Sequence, residues 1–287
     1  MKKFLKVASI VLVIAMIACF AACGGNGGTT DTQAVKVIDI NLTEEEYAFG
    51  VDKAQPELLE DVNAFIEKIM KDGTFDDICN NYFGDGEPVA VTSAKLDESK
   101  DQLVVATNAA FEPFEYTEGD KYYGIDMEIA ALLAKELGKE LVIQNMDFDA
   151  VCLSVGQHKC DIAMAGLTVK EDRKEHVDFS TTYYEASQKL IVKGDDTAFD
   201  ACTDAASVEA ILKELDKTTK IGVQNGTTGN FYVKGDAEWG FDGFDVECVG
   251  YKNGALAVQD LVNDNINYVV IDAAPADCIV KAINEVA

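Results

Sequence analysis

The sequence predicts an α/β protein folded as two lobes, and three observations carry that reading. Short apolar strands alternate with single amphipathic helices, the alternation occurs as two separate series, and two extended segments run between the series. Strands separated by single helices pair in parallel within layered sheets. At 287 residues, 48% hydrophobic and 26% charged, the chain can bury a sizeable core.

The elements follow in order. "MKKFLK" and the apolar run "VASIVLVIAMIACFAAC" have the composition of an export signal, residues 1–22. A membrane anchor is the alternative, but the run is short for a span of ~20 residues. "FAAC" before "GGNGG" resembles a bacterial lipobox, with Ala21 and Ala22 small enough for a signal peptidase cleft and Cys23 the residue to be lipidated. Residues 23–34 have a linker's glycine and polar content. "VIDINL" alternates Ile38, Ile40 and Leu42 against polar residues as a half-buried strand within 35–43, and "EEEYAFGV" is a second extended piece. From Pro56, Leu58, Leu59, Val62, Phe65, Ile66 and Ile69 recur on one helical face. Phe75, Ile78, Tyr82 and Phe83 mark another helix that reads as the end of a domain. Residues 84–101 carry almost no apolar periodicity and read as a second linker.

The first series then runs through strand "LVVAT", a helix with Ile129, Leu132, Leu133 and Leu137 closed by Gly138, strand "LVIQN", short helix "DAVCLSV" and strand "DIAMAG". The long extended run "YYEASQKLIVK" ends it. The second series has a helix with Val208, Ile211, Leu212 and Leu215, strands "KIGVQ" and "FDVECV", a helix with Ala255, Val258, Leu261 and Val262, strand "YVVID", and a helix from Ala273 onward.

Charge and cysteines limit the partners. With 24 Lys and Arg against 51 Asp and Glu, a formal charge of -27, the protein repels nucleic acid phosphates. No cysteine pair is a CxxC and only His158 and His176 are present, so neither a metal site nor a cofactor is expected. Cys79, Cys152, Cys160, Cys202, Cys248 and Cys278 read as buried thiols or as disulfides whose pairing the spacing does not assign.

In open α/β sheets ligands lie beyond the carboxyl ends of the strands, where helix N-termini point. This singles out Asn108 to Phe111, Phe148, Gly166 to Thr168, Asn225 to Gly229 and Asp272. With their surroundings, "LVVATNAAFEPFEY", "GIDMEIAALLAKELG", "MDFDAV", "DIAMAGLTVKEDRKEHVDFS", "VQNGTTG" and "VVIDAAPA", they resemble the amino-acid-binding family (family 3) of bacterial ABC-transporter solute-binding lipoproteins, across residues 102–287. Two motifs depart from the family's pattern: "TTYY", where a proline commonly precedes the tyrosines, and "GQHKCD", with His158 near a usual glycine.

The resemblance implies a type II periplasmic-binding-protein-like fold, each lobe a mostly parallel sheet flanked by helices, with two hinge strands. It also implies that "LTEEEYAFGV", "PELLEDVNAFIEKIMKDG" and "TFDDICNNYFG" correspond to the family's C-terminal end. They come first here, so the expected organisation is circularly permuted: a lobe 2 strand at 35–43, lobe 1 at 44–188 with the 84–101 linker inside it, and lobe 2 at 189–287.

The site residues are carried over motif by motif. Arg173 matches the arginine that holds a ligand carboxylate, a task suited to a planar guanidinium; spacing alone also allows a solvated helix arginine. Gly166 and Thr168, with the neighbouring Ala165, match positions offering backbone groups and a hydroxyl. Thr227 and Thr228 in the glycine turn offer the same from the other lobe. Asp272 matches the acid that takes an ammonium, although a helix N-cap is the simpler role. Phe111 and Phe148 match aromatics that sandwich the ligand; by sequence alone a plain core role is the better reading.

Asn108, where the family often has Asp, and Gln224 place neutral amides near the ligand's side chain and favour a polar or neutral amino acid. The expected protein is an exported, lipid-anchored monomer on the outer face of the cell membrane. It would deliver a free amino acid to an ABC permease and would not be an enzyme. A secreted cyclohexadienyl or arogenate dehydratase with Glu112 or Glu115 as its acid is one alternative; a sensory binding module is another.

Overall fold

The computed structural model describes residues 33–286. The export segment 1–22, the lipidation position Cys23 and all but the end of the 23–34 linker lie outside the described residues. The described residues begin with β1 (Val35–Ile38), β2 (Glu45–Tyr47) and β3 (Gly50–Asp52). The first strand sits earlier than the alternation at Ile38, Ile40 and Leu42 suggested. The backbone turns after Ile38, where Ile40 N donates to Ile38 O, and Leu42 then reaches Gln188 O by its own N–H.

Helix α1 (Pro56–Asp72) opens on proline, whose missing N–H has no intrahelical partner to lose, and closes at Gly73 in the left-handed region. Its apolar face buries Leu58, Val62, Phe65, Ile66 and Ile69, each stabilising by roughly 1.5–3 kcal/mol. Helix α2 (Thr74–Phe83) follows at once. These helices share one core with Leu103, Val105, Ile129, Leu133 and Ile143 from beyond residue 101.

Residues 84–101 contain no helix or ladder strand, yet they are pinned. Val91 is buried and exchanges backbone hydrogen bonds with Tyr122 at 2.8 and 3.0 Å. The Glu128 carboxylate accepts from Tyr82 Oη at 2.6 Å, Asn81 Nδ2 at 3.2 Å and Val89 N at 2.9 Å.

Next come β4 (Gln102–Thr107), β5 (Ala110–Phe111), β6 (Glu115–Glu118), β7 (Lys121–Tyr123), α3 (Ile125–Glu136) and β8 (Glu140–Asn145). After them lie α4 (Val151–Gly156), β9 (Ile162–Ala163), α5 (Glu171–Lys174) and β10 (Val177–Phe179). The remainder is β11 (Tyr184–Ala186), β12 (Gln188–Lys193), α6 (Ala205–Lys213), β13 (Lys220–Gln224) and α7 (Thr228–Lys234). It ends with β14 (Glu247–Tyr251), α8 (Gly254–Val262), β15 (Tyr268–Asp272) and α9 (Ala273–Asn284).

Two five-stranded sheets result, ordered β10-β3-β9-β4-β8 in lobe 1 and β1-β12-β15-β13-β14 in lobe 2. In each, three strands pair in parallel, as the single intervening helices require, and two more join through antiparallel pairings, so that only β3 in one sheet and β12 in the other run against the rest. A ribbon of β2 against β11, with Tyr47 opposite Tyr184, joins the lobes. The small antiparallel sheet β5-β6-β7 was not anticipated. The six described cysteines are free thiols. No described helix is long and apolar enough to cross a membrane.

Candidate functional site

Both parallel sheets turn the carboxyl ends of their strands toward the cleft between the lobes, and the residues just past those ends line one narrow cavity. Phe111, Phe148, Gly166, Thr168 and Arg173 line it from lobe 1. Gln224, Thr227, Thr228 and Asp272 line it from lobe 2. The lobes touch around it: Arg173 Nη2 donates to Gly226 O at 2.9 Å, Thr228 Oγ1 to Thr168 Oγ1 at 3.3 Å, and Gln224 Nε2 to Asn108 Oδ1 at 3.2 Å.

Arg173 lies on the short helix α5 and is only 9% exposed. Its guanidinium donates to Thr168 O at 2.7 Å as well as to Gly226 O, and it stands 5.2 Å from the Phe148 ring centroid. Among the described residues no carboxylate comes within 4.0 Å of it. A buried cation met only by carbonyl dipoles and a ring face is poised for an anion.

Asp272 ends β15 at the N-cap position of α9 but makes no capping hydrogen bond with its side chain. It accepts instead from the Tyr47 hydroxyl. Burial, with the Glu45 charge adding, pushes its carboxyl up to about 7. Glu45 itself accepts from Thr168 Oγ1 at 2.8 Å and Gln188 Nε2 at 3.0 Å. The acidic side of the cavity is therefore short of positive charge, as Arg173 is short of negative charge.

Gly166 explains the tight turn after β9. Its φ is +52°, and a Cβ there would stand 2.9 Å from Phe111 Cε1, so a side chain would strain the backbone and displace a cavity wall. Its N–H donates to Asp126 Oδ2 at 2.9 Å, and Tyr183 Oη donates to Asp126 Oδ1 at 2.6 Å. Even with these bonds, burial pushes Asp126 up to about 7.

At the other end, the amide orientations follow from one another. Asn108 Nδ2 donates to Met146 O at 2.7 Å, so its Oδ1 must be the acceptor facing Gln224. Gln224 therefore presents Nε2 to Asn108, and its Oε1, in a side chain 1% exposed, has no protein donor. Thr227 Oγ1 donates to Gln224 O at 2.8 Å and holds this corner.

Two expected site residues are placed differently. Asn108 stands behind Gln224 and is not a cavity wall, because its amide is spent on Met146 and Gln224. Ala165 packs into the apolar cluster with Val104, Ala106 and Leu167 and lines no part of the cavity. Glu45, Tyr47 and Gln188 were not foreseen; the signal for the first two is their shared face in "EEEY", where Glu45 and Tyr47 are buried and Glu46 is exposed. Among the described residues no group of three or more His, Cys, Asp or Glu is placed to hold a metal.

The model for bacterial extracellular solute-binding proteins, family 3, matches residues 103–269. The chain belongs to this family. Among curated relatives, the arginine-binding extracellular protein ArtP of Bacillus subtilis (strain 168) is 31% identical over 182 residues, covering 63% of this chain and 65% of that protein. The L-cystine-binding protein TcyJ of Escherichia coli (strain K12) is 27% identical over 185 residues, 64% and 63% of the two chains. This solute-binding protein thus spans just under two thirds of the length of such relatives. Among solved structures, an ancestral arginine-binding protein bound to glutamine is 33% identical with a TM-score of 0.52, covering 64% of this chain and 74% of that one. The ancestral amino-acid-binding protein AncCDT-1, a precursor of cyclohexadienyl dehydratase, is 29% identical with a TM-score of 0.54, covering 63% and 75%. The family match leaves out residues 35–102, although α1 and α2 share the lobe 1 core.

Proposed function

We propose that this protein captures a free amino acid with a polar, uncharged side chain between its lobes and delivers it to an ABC permease. The observation that carries the reading is the pair of unmatched groups on one cavity: Arg173 without a carboxylate, and Asp272 held near neutrality by burial beside Glu45. A zwitterion supplies the missing charge to each, and each charge is costly to bury alone. Phe111 and Phe148 flank the space for its side chain. The unmatched Gln224 Oε1 asks that side chain for a donor, and neither Asn108 nor Gln224 offers a charge to balance a charged one. An amide such as glutamine's, or a hydroxyl, fits this end.

The dehydratase reading requires an acid facing the substrate's ring. Neither Glu112 nor Glu115 is a cavity wall, and Glu115 is fully buried with both oxygens unpartnered and its pKa driven well up by burial. This supports a binder over an enzyme. We further infer a circularly permuted chain tethered through a lipidated Cys23, exported, and acting as a monomer. Support for the permutation comes from the pairing of β1 with β12 and from Asn284 at the end of α9. Its amide accepts from Ala34 N at 2.9 Å and Val35 N at 3.3 Å and donates to Val35 O at 2.9 Å.

Titration calorimetry with the common amino acids at pH 8 tests the binding reading. A polar neutral amino acid should bind best, and Arg173→Ala should weaken it by ~2–5 kcal/mol, since the variant strips a desolvated carboxylate of its partner. Tightest binding of arginine or histidine would overturn the side-chain assignment; unchanged affinity in the variant would overturn the site.

A further inference from the structure

A second buried cation lies outside the cavity and is unused by the binding site above. Lys170 immediately precedes α5, and its side chain is 4% exposed. Its Nζ is 2.8 Å from Asp172 Oδ2 within lobe 1. The rest of its surroundings come from lobe 2: Asp236 Oδ2 at 3.4 Å, Glu238 Oε2 at 3.4 Å, and the Phe231 ring with its centroid 4.2 Å away. Burial pulls the Lys170 pKa down, but the carboxylates outweigh it and the net direction is up.

One of the lobe 2 acids, Asp236, is held ready for this contact. In the loop after α7, Asp236 Oδ1 accepts from Glu238 N at 3.0 Å and Trp239 N at 3.2 Å, which leaves Oδ2 for the lysine. The Asp236 backbone also exchanges two 2.9 Å hydrogen bonds with Phe241. Glu238 reaches across with both oxygens, Oε1 accepting from Glu171 N of lobe 1 at 2.7 Å and Oε2 facing Lys170. Fixing the Asp236 carboxylate in advance lowers the entropy cost of its closing contact.

We propose that Lys170 is a positioning residue for ligand retention, a latch whose ammonium is enclosed by Asp236, Glu238 and Phe231 when the lobes meet. The proposal rests on the amino-acid-binding reading and adds to it a residue that touches no part of the cavity. In an opened cleft Lys170 keeps Asp172 and regains water, so the latch acts on the closed state. Its loss speeds opening and release more than it slows capture, as expected when one partner of a buried charge pair is removed.

The experiment uses Lys170→Met, which keeps the length and apolar stem over Phe231 while removing the charge. The emission of Trp239, the single tryptophan of the chain, reports on the loop. With L-glutamine as probe, stopped-flow fluorescence should show the off-rate rising about tenfold or more, with the on-rate changed by less than about threefold. Glu238→Gln attacks the latch from the other lobe, and the double variant should lose far less than the sum of the singles.

Small-angle scattering of wild type and both single variants, without amino acid, gives a readout independent of the ligand: the mean radius of gyration should increase in the variants. An off-rate unchanged in Lys170→Met, or additive effects in the double variant, overturns the latch. If wild type binds no amino acid, the binding reading fails. The scattering then decides the latch alone, and equal radii in all three proteins overturn it.

Discussion

Acidification should weaken ligand binding by titrating Asp272. Its carboxyl stands near pH 7 instead of the usual 3.8 because burial removes water and Glu45 adds a like charge, while the Tyr47 hydroxyl and Gln188 only partly offset them. The remaining acid that feels Asp272 is Glu115, also buried. An arriving ammonium requires the ionised form, so binding must expel a proton below pH 7. Affinity should fall about tenfold per pH unit, or roughly 1.4 kcal/mol at pH 6 and 2.7 kcal/mol at pH 5.

Calorimetry at pH 5 to 8 in buffers of different ionisation enthalpy measures both the affinity and the released proton. Stability of the unliganded protein should carry the opposite sign. A carboxyl whose pKa is raised on folding stabilises the fold fully below 3.8, and that contribution disappears as pH rises through about 7, at most roughly 4 kcal/mol. Asp272→Asn should flatten both profiles at this site and cost ~2–5 kcal/mol of affinity at pH 8. Equal wild-type affinity at pH 5 and pH 8, or an asparagine variant that keeps the pH dependence, would refute the reasoning.

Two further substitutions separate the side-chain end of the cavity from the scaffold. Gln224→Leu should cost ~1–3 kcal/mol of affinity for L-glutamine while costing less for an apolar analogue such as norleucine, because only the amide donor loses a partner; competition calorimetry gives the difference. Glu128→Ala leaves Tyr82 Oη, Asn81 Nδ2 and Val89 N without their acceptor. Urea denaturation should show a loss of ~1–3 kcal/mol with amino-acid affinity unchanged.

Much of this architecture was legible because its strongest signals are local. The strands β4, β8, β13 and β15 are short apolar runs, the last three with a helix on either side, and the positions just past them are where layered sheets gather ligands. Of the residues so chosen, Phe111, Phe148, Gly166, Thr168, Thr227, Thr228 and Asp272 line one cavity, together with Arg173 and Gln224, which the family resemblance singled out. The sheet β5-β6-β7 escaped notice because two of its strands have only two or three residues, too few to show a period. Residues 84–101 read as a plain linker because their attachment is by isolated contacts at Val91 and Glu128, which leave no repeating pattern.

The electrostatics were less legible, and the reason is physical. "EEEYAFGV" reads as an extended piece, but three acids in a row give no sign of which side chains are buried. Strand alternation turns Glu45 and Tyr47 inward, where they meet Asp272 and Thr168; the tyrosine and the aspartate are 225 positions apart in the chain. Neither a raised Asp272 pKa nor an unpartnered Gln224 oxygen belongs to any residue by itself. Each arises from what the opposite lobe does or does not supply, as does the role of Lys170, which looks like one more charge in "KEDRKE" until Phe231, Asp236 and Glu238 close over it. Local pattern therefore located the walls of the cleft, whereas the charge arrangement on which the proposed capture of a zwitterion rests exists only once the two halves are brought together.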